Sequence, residues 1–316
     1  MMRFGIQTGP QNTTWPDLLN IWQVADGLKF DTAWTFDHFF PIFTDPKGPQ
    51  LEGWTTLTAL AMKTQHVRVG TLVTGVTYRE PAVLAKIGAT LDVITGGRLE
   101  MGIGAGWFEL EHQSLGIPFY TVAERIKRLG EACEVILRMW TEDAATYDGT
   151  YYHLKEAYCN PKPVQKPHPP LLIGGSGEQL TLKMVARYAD EWNAFGTPEM
   201  IRHKIEVLEG HCRAIGRDVN TIEKSVGIPL VMSKDSGKLD GMLADMASRR
   251  GMSLEDARNG MLWGSPDQVI KKLEAYCEVG VTHIILSQRA PYDSAMLELF
   301  AKEVIPAVRQ KEPANR

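Results

Sequence analysis

The sequence predicts an α/β fold, a (β/α)8 TIM barrel with insertions, from two observations. Short apolar segments rich in β-branched residues alternate with amphipathic segments along the chain, which is typical of βα units and a parallel sheet. The alternation gives eight strands and eight helices, the numbers that close such a barrel. A doubly wound open sheet is the alternative, but it requires a point where the strand order reverses, and the sequence does not reveal one.

The predicted strands are short apolar runs bounded by glycine, proline or polar residues. They are Arg3–Thr8, Thr32–Phe36, Val67–Val73, Leu99–Ile103, Leu171–Ile173, Glu191–Phe195, Lys224–Val231 and His283–Ser287.

Proline and capping patterns mark where the helices begin. Pro16, Pro81 and Pro198 occupy first-turn positions, and Thr121–Glu124 and Ser265–Gln268 have capping-box spacing. Two segments interrupt the alternation. Residues 146–170 contain an Asp-Gly pair that is typical of a hairpin, and we interpret them as an insertion. Residues 234–260 are predicted to be polar, irregular helix. Methionines in and beside the second segment either line an adaptable pocket or pack helices together: Met242, Met246, Met252 and Met261.

Bulk composition excludes several classes of protein. The 316 residues are 44% hydrophobic and 23% charged, with a net charge of −4, so a core can form without disulfides. We expect one domain over residues 1–316. The charge pattern indicates no nucleic acid and no membrane surface, and we find no signal-peptide core or membrane-spanning run. Four scattered cysteines without a CxxC pair indicate a reducing, cytoplasmic location, and the histidine spacing indicates no metal site.

Two glycine-rich turns follow predicted strands. They are Gly104-Ala105-Gly106 and Gly174-Gly175-Ser176-Gly177. Glycine lets backbone N–H groups approach a ligand closely, and the second turn is expected to run directly into a helix whose dipole favours an anion. A tight turn without a ligand would use the same residues. Because both turns lie at strand ends, we expect them to hold one extended, phosphorylated ligand on one rim.

The working face of a TIM barrel lies at the carboxyl ends of its strands. Asp37 and His38 directly follow the second strand, and a histidine there can donate, accept or shuttle a proton; a pair that only caps the following loop is the alternative. The other residues expected on this face are Gln7, Thr8, Thr71–Thr74, Gly104–Trp107, Gly174–Gly177, Trp192–Phe195 and Ser287–Arg289.

Several further side chains are open to two interpretations. Trp107, Phe108 and Trp192 either wall a flat aromatic ligand or belong to the core. Arg289 is either an anion contact or a surface residue. Glu109 and Glu111 are expected to be the solvated start of a helix.

The chain resembles the bacterial luciferase-like family of flavin and deazaflavin oxidoreductases over nearly its whole length. The segments that carry the resemblance are Trp34–His38, Gly70–Thr74, Tyr78–Pro81, Leu91–Arg98, Gly102–Phe108, Leu171–Gly177 and Gly264–Gln268.

The resemblance implies a TIM barrel that binds FMN or coenzyme F420 at the carboxyl-terminal face. The Asp-His pair is similar to that of the F420 branch, which implies that Asp37 and His38 contact the deazaflavin ring and that His38 transfers a proton. It also implies a non-prolyl cis peptide within Thr71–Thr74, near Leu72, with Leu72, Val73 and Thr74 beside the ring. The cofactor side chain and phosphate would then lie along the two glycine-rich turns and Trp107.

The chain departs from the sugar-phosphate dehydrogenases of the F420 branch at two places. They carry a tryptophan soon after the Asp-His pair, where this chain has Phe40, Pro41 and Ile42, and a glutamate where it has Trp107. Both differences argue against sugar-phosphate oxidation.

Three functions follow as hypotheses. The first is an F420-dependent oxidoreductase acting on a small organic substrate, the second an FMN-dependent monooxygenase that uses O₂, and the third a cofactor-binding protein without turnover. For either enzyme, a separate F420 or flavin reductase would supply the reduced cofactor, and the family resemblance implies a homodimer.

Overall fold

Eight parallel strand positions close into a barrel in the computed structural model, which describes residues 1–311. Each strand pairs with the next along the chain; the last pairs with the first through Gln7 and Ser287, and the third with the fourth through Val69 and Leu99. This closure confirms the predicted barrel and excludes the open sheet. The strands are β1 Arg3–Thr8, β2 Thr32–Thr35, β3 Arg68–Thr71, β4 Leu99–Gly104, β5 Leu171–Gly174, β6 Glu191–Ala194, β7 Glu223–Ile228 and β8 His283–Gln288.

Helices surround the barrel. They are α1 Trp15–Gly27, α2 Gly53–Ala61, α3 Pro81–Thr95, α4 Glu109–Leu115, α5 Val122–Thr141, α6 Thr181–Tyr188, α7 Pro198–Ala214, α8 Ser236–Arg250, α9 Leu254–Gly260, α10 Pro266–Glu278, α11 Ser294–Leu299 and α12 Ile305–Lys311. Among the described residues, no helix combines the length and apolar character needed to cross a membrane.

The residues predicted to cap helices lie at the helix ends in the structure. Ser265 Oγ accepts the Gln268 N–H at 3.4 Å, and Gln268 Oε1 accepts the Ser265 N–H at 2.8 Å, which completes the capping box. Thr121 and Thr197 cap α5 and α7 by accepting the N–H groups of Glu124 and Met200, without the reciprocal side-chain bond of a capping box. Gly96 ends α3 with φ +67.

The structure corrects the bounds of two predicted strands and shows an irregular turn within one predicted helix. The predicted strand Lys224–Val231 is present but too long, because β7 ends before Pro229, which has no N–H to donate to a ladder. Leu230–Met232 instead pairs with Leu262–Gly264 in a separate two-stranded parallel sheet. The third strand stops at Thr71, and pairing resumes at Thr74–Gly75. The predicted last helix is present, and it contains a π-helical turn, Phe300–Val304, between α11 and α12.

The two predicted interruptions are present. An antiparallel hairpin of Ala145–Asp148 and His153–Ala157 lies between α5 and β5. The 234–260 segment forms α8 and α9. Its methionines pack with Val231 and Leu243 in a small core, and two of them, Met246 and Met252, also line cavities.

The amino-terminal end of the barrel is closed by a buried ion-pair network. The Arg3 guanidinium lies 2.7 Å from Glu223 and 3.5 Å from Glu191, and it also pairs with Glu100. His283 Nδ1 lies 2.9 Å from Glu191, and burial lowers the pKa of His283 to about 4, so its ring is neutral at pH 7. One ligand atom each from Glu191, Glu223 and His283 lies within 4.8 Å of the others, close enough to hold a metal ion. The Arg3 guanidinium, however, already supplies positive charge to these carboxylates. The network at the amino-terminal end stabilises the barrel, whereas the active site is expected at the carboxyl-terminal end.

Candidate active site

A cavity of about 580 Å³ opens at the carboxyl ends of the barrel strands. It gathers predicted site residues from four separate parts of the sequence: His38, Leu72, Val73, Gly104, Ala105, Gly106, Trp107, Gly174, Gly175 and Ser176. The other three predicted residues, Asp37, Thr74 and Gly177, are not among those that line it. We call this space the main cavity.

One wall of the main cavity is the segment that follows β3. The Leu72–Val73 peptide is cis, which confirms the bond expected near Leu72. Gln7 Nε2 donates a hydrogen bond to the Leu72 carbonyl at 3.0 Å. A Cβ on Gly104 would lie 2.7 Å from Val73 Cγ2, and one on Gly174 would lie 3.0 Å from Val73 Cγ1. Glycines therefore let β4 and β5 approach Val73 closely.

The glycine-rich turns present backbone donors on the same rim. Gly106 and Gly175 have φ of +75 and +131, where a side chain is strained. Within residues 1–311, the N–H groups of Gly106 and Ser176, two residues that line the main cavity, donate no hydrogen bond, and neither does that of Gly177, which does not line it. The expectation that the second turn runs directly into a helix is wrong, because α6 begins only at Thr181.

Arg125 brings positive charge to the first glycine-rich turn, and the sequence did not single it out. Its Nε donates to the Gly106 carbonyl at 3.1 Å, and its guanidinium lies over the Phe119 ring at 4.1 Å. Over the described part of the chain, no carboxylate pairs with it. The Glu109 carboxylate acts on it through its charge without forming an ion pair. A guanidinium that forms no ion pair and lies beside free backbone donors favours an anionic ligand.

His38 is held in a buried hydrogen-bond network at the edge of the main cavity. Its Nδ1 lies 2.9 Å from Glu111 Oε2, and the Tyr78 hydroxyl donates to the same oxygen at 2.7 Å. The other Glu111 oxygen accepts the backbone N–H groups of Phe39 and Phe40 at 2.5 and 2.7 Å. Because an ionised carboxylate only accepts, Nδ1 carries the proton. Among the described residues Nε2 has no partner, so it is left for a ligand.

Glu111 is the main site residue that the sequence misjudged. It was expected to be solvated, but its side chain is fully buried, while its neighbour Glu109 is exposed. A helix as short as α4 has too few turns for hydrophobic periodicity to separate these two residues. Only the packing of α4 against the loop after β2 brings Glu111 to His38.

The charges in this network are set by burial and hydrogen bonding. Burial alone would raise the pKa of Glu111, but hydrogen bonds from His38, Tyr78 and Phe40 outweigh it and lower that pKa. Burial, followed by the hydrogen bond to Glu111 and then the Glu111 charge, raises the pKa of Tyr78. Glu111 is therefore an ionised acceptor and Tyr78 a protonated donor at neutral pH.

Asp37 lies fully buried behind His38. Arg79 Nη1 approaches its Oδ2 at 2.5 Å, and the Thr74 hydroxyl also donates to it. Burial raises the pKa of Asp37, while Arg79 and Thr74 oppose that rise. Asp37 thus ties the end of β2 to the residues after β3 and fixes the backbone that presents His38.

Aromatic side chains form the mouth of the main cavity. The Trp107 ring meets His38 edge-on at 5.6 Å and stacks on Phe43 at 5.4 Å. Trp107 is therefore a wall residue. Phe108 contacts His38 edge-on at 5.9 Å without lining the cavity. Trp192 is buried in the core, where its Nε1 donates to the Gly175 carbonyl at 2.7 Å.

A family comparison agrees with this geometry. The model of the luciferase-like monooxygenase family matches residues 2–247. The chain belongs to the luciferase-like family. The resemblance read from the sequence motifs is therefore confirmed.

Relatives within the luciferase-like family use different cofactors. The chain is 26% identical over 337 residues to an F420-dependent glucose-6-phosphate dehydrogenase of Microbacterium testaceum (strain StLB037), covering 98% of both chains. It is 27% identical over 267 residues to an FMNH(2)-dependent dimethylsulfone monooxygenase of Pseudomonas putida, covering 75% of this chain and 73% of the relative. In fold it matches an F420-dependent secondary alcohol dehydrogenase with a TM-score of 0.84 at 23% identity, covering 98% of this chain and 99% of the other.

We expect Glu111→Gln to lower the free energy of unfolding by about 2 kcal/mol at pH 7, because it weakens hydrogen bonds to a buried charge. The folded-state pKa of Glu111 is depressed, so this stabilisation is complete above the unfolded pKa, near 4.3, and is lost as pH falls through the folded pKa. Urea unfolding of both proteins at several pH values measures the difference. Glu109→Gln, on the exposed face of the same helix, is the matched control. A difference that persists unchanged in acid, or that the control reproduces, would contradict the assignment.

Proposed function

We propose that this luciferase-like protein is an oxidoreductase that binds coenzyme F420 and transfers a hydride between it and a small organic substrate. The observation that carries the proposal is His38, whose Nε2 has no partner among residues 1–311 and lies at the edge of a cavity lined by glycine-rich turns. The full-length similarity to an F420-dependent dehydrogenase supports the choice of cofactor.

The residues present suit a phosphorylated deazaflavin. A volume of about 580 Å³ lies in the usual range for small-molecule pockets. The N–H groups of Gly106 and Ser176, which donate to no described residue, would hold the phosphorylated side chain together with Arg125. Leu72 and Val73 would lie against the ring.

The chemistry divides between cofactor and protein. When bound, the deazaflavin supplies or accepts two electrons as a hydride. In the reducing direction, a substrate carbonyl that takes up a hydride at carbon also needs a proton at oxygen. His38 Nε2 would supply that proton, while Glu111 keeps Nδ1 protonated and the ring in one orientation. In the oxidising direction the same nitrogen would accept the proton.

Asp37 has a supporting role in this proposal. It was expected to contact the ring, but a carboxylate that is fully buried and paired with Arg79 acts on the cofactor only through the backbone of His38 and Thr74. We therefore propose His38 as the catalytic residue and Asp37 as a positioning residue.

An FMN-dependent monooxygenase is the second candidate. The family description and the Pseudomonas putida relative favour it. The same glycine-rich turns would bind FMN, O₂ would be the second substrate, and a separate flavin reductase would supply reduced FMN.

Side-by-side titration of cofactor-free protein with F420 and FMN tests the proposal. We expect micromolar or tighter binding of F420 and much weaker binding of FMN. A substrate screen then follows the deazaflavin absorbance, with small aldehydes, ketones and alcohols as substrates. The reverse cofactor preference would overturn the F420 assignment and direct the search to oxygen consumption with a reductase. Tight F420 binding without turnover across the screen would indicate a cofactor-binding protein instead.

A further inference from the structure

A second cavity of about 580 Å³ adjoins the main cavity, and the charged residues that line it are all basic. The two cavities share an apolar and amide wall made of Gln7, Phe36, Ile42, Phe43 and Phe195. Beyond that wall the second cavity is lined by three arginines, and no aspartate or glutamate lies among its lining residues within the described chain.

Two of these arginines, Arg250 and Arg289, have no acidic partner among the described residues. Arg250 ends α8, and its Nη2 donates to the Ser287 carbonyl at 3.0 Å. Arg289 follows β8, with its guanidinium 5.9 Å from the centre of the Phe43 ring. Both are half-buried, and neither forms an ion pair with any residue from 1 to 311. The third, Arg249, is exposed and pairs with Asp245 at 2.7 Å.

The two unpaired guanidinium groups are close enough to repel each other. Burial, and then the charge of Arg289, lower the pKa of Arg250 to about 10, and burial lowers the pKa of Arg289. Both groups still carry a proton at neutral pH. Asp256 lines a neighbouring depression together with both arginines, but it does not pair with either. Half-buried cations without a counter-ion are costly unless a ligand neutralises them.

We propose that Arg250 and Arg289 form a subsite for the oxyanion, a carboxylate or a phosphate, of the organic substrate. This inference rests on the proposed function, because it assigns the main cavity to the cofactor and the second cavity to the substrate. The guanidinium fork matches the geometry of an oxyanion. The shared wall is mostly apolar and aromatic, so the rest of the substrate, which reaches past that wall towards His38, is apolar.

Anion binding to the full-length protein tests the subsite without turnover. The probes are sodium benzoate and inorganic phosphate, titrated by calorimetry at constant ionic strength into cofactor-free and F420-loaded protein. We expect at least one probe to bind saturably in the millimolar range in both forms. Arg289→Met should weaken that binding about ten-fold or more, whereas Arg249→Met should leave it unchanged because Asp245 already matches the charge of Arg249.

The outcomes separate this inference from the proposed function. Failure of both probes to saturate, or an equal loss in the two variants, would overturn the subsite even if F420 binds. Saturable binding that only Arg289→Met weakens would support it even if F420 does not bind. A different result is that Arg289→Met lowers the affinity for F420 ten-fold while the affinity for the deazaflavin nucleoside, which lacks the phosphorylated side chain, stays unchanged. That result would assign the arginines to the cofactor and overturn the substrate assignment.

A melting temperature for each variant verifies folding, and Arg250→Gln serves as the second variant if Arg289→Met does not fold.

Discussion

His38→Gln is expected to lower kcat by about 10²- to 10⁴-fold, the usual contribution of a positioned proton donor or acceptor. The glutamine amide can still donate a hydrogen bond to Glu111, so the buried carboxylate keeps a partner and the fold is retained. The amide cannot transfer a proton at the position of Nε2. Because the glycine-rich turns lie elsewhere on the rim, the Kd for the cofactor should change little. Steady-state rates on a substrate from the screen, with a cofactor titration of the same preparation, measure both quantities.

His112→Gln is the matched control for His38→Gln. His112 is also buried and lies beside Tyr78, with ring centres 5.2 Å apart, but it does not line the main cavity. Its ring nitrogens are engaged by Thr77 and by the Phe108 carbonyl, at 2.7 and 2.8 Å. We expect this variant to retain most of its turnover. An undiminished rate in His38→Gln, or an equal loss in both variants, would remove His38 from the proton step.

The sequence predicted those parts of the site that follow directly from strand ends. Glycines after β4 and β5, and a histidine just past β2, converge because the carboxyl ends of all barrel strands share one face. Knowing the order of the strands is enough to bring Gly104, Gly174 and His38 to one cavity. The cis peptide at Leu72 came from the family resemblance, since nothing in the composition of that segment requires it.

The residues that the sequence missed reach the site through side-chain packing between helices and loops. Glu111 and Arg125 lie on α4 and α5, and each turns towards a strand end that is distant in sequence. Charged residues near a helix start usually face solvent, so the local sequence pattern wrongly predicted that the Glu111 side chain is solvated. Arg250 lies inside an irregular polar segment. Only the tertiary fold brings it to Ser287 and leaves it without an acidic partner in the part of the chain that the structure describes.

Gly175→Val is expected to weaken cofactor binding by about 100-fold, equivalent to about 2.7 kcal/mol. Gly175 has φ +131, a conformation that a β-branched residue does not adopt without strain. An added Cβ would also lie 3.1 Å from Thr181 Cγ2. The turn must therefore shift, and the N–H groups of Ser176 and Gly177 shift with it. Losing one or two hydrogen bonds to a charged phosphate accounts for the size of the effect.

Gly216→Val separates backbone strain from loss of the binding site. Gly216 also has a positive φ, +70, and an added Cβ there meets no atom within 4 Å. It follows α7 and does not line the main cavity. Both variants should lose stability in urea because both force a valine into a left-handed conformation, but only Gly175→Val should raise the Kd for the cofactor. If the two variants bind the cofactor as tightly as the wild type, the phosphate does not lie on the Gly174–Gly177 turn. It would then be held by the turn after β4 and Arg125 alone, where the free N–H of Gly106 remains as a backbone donor.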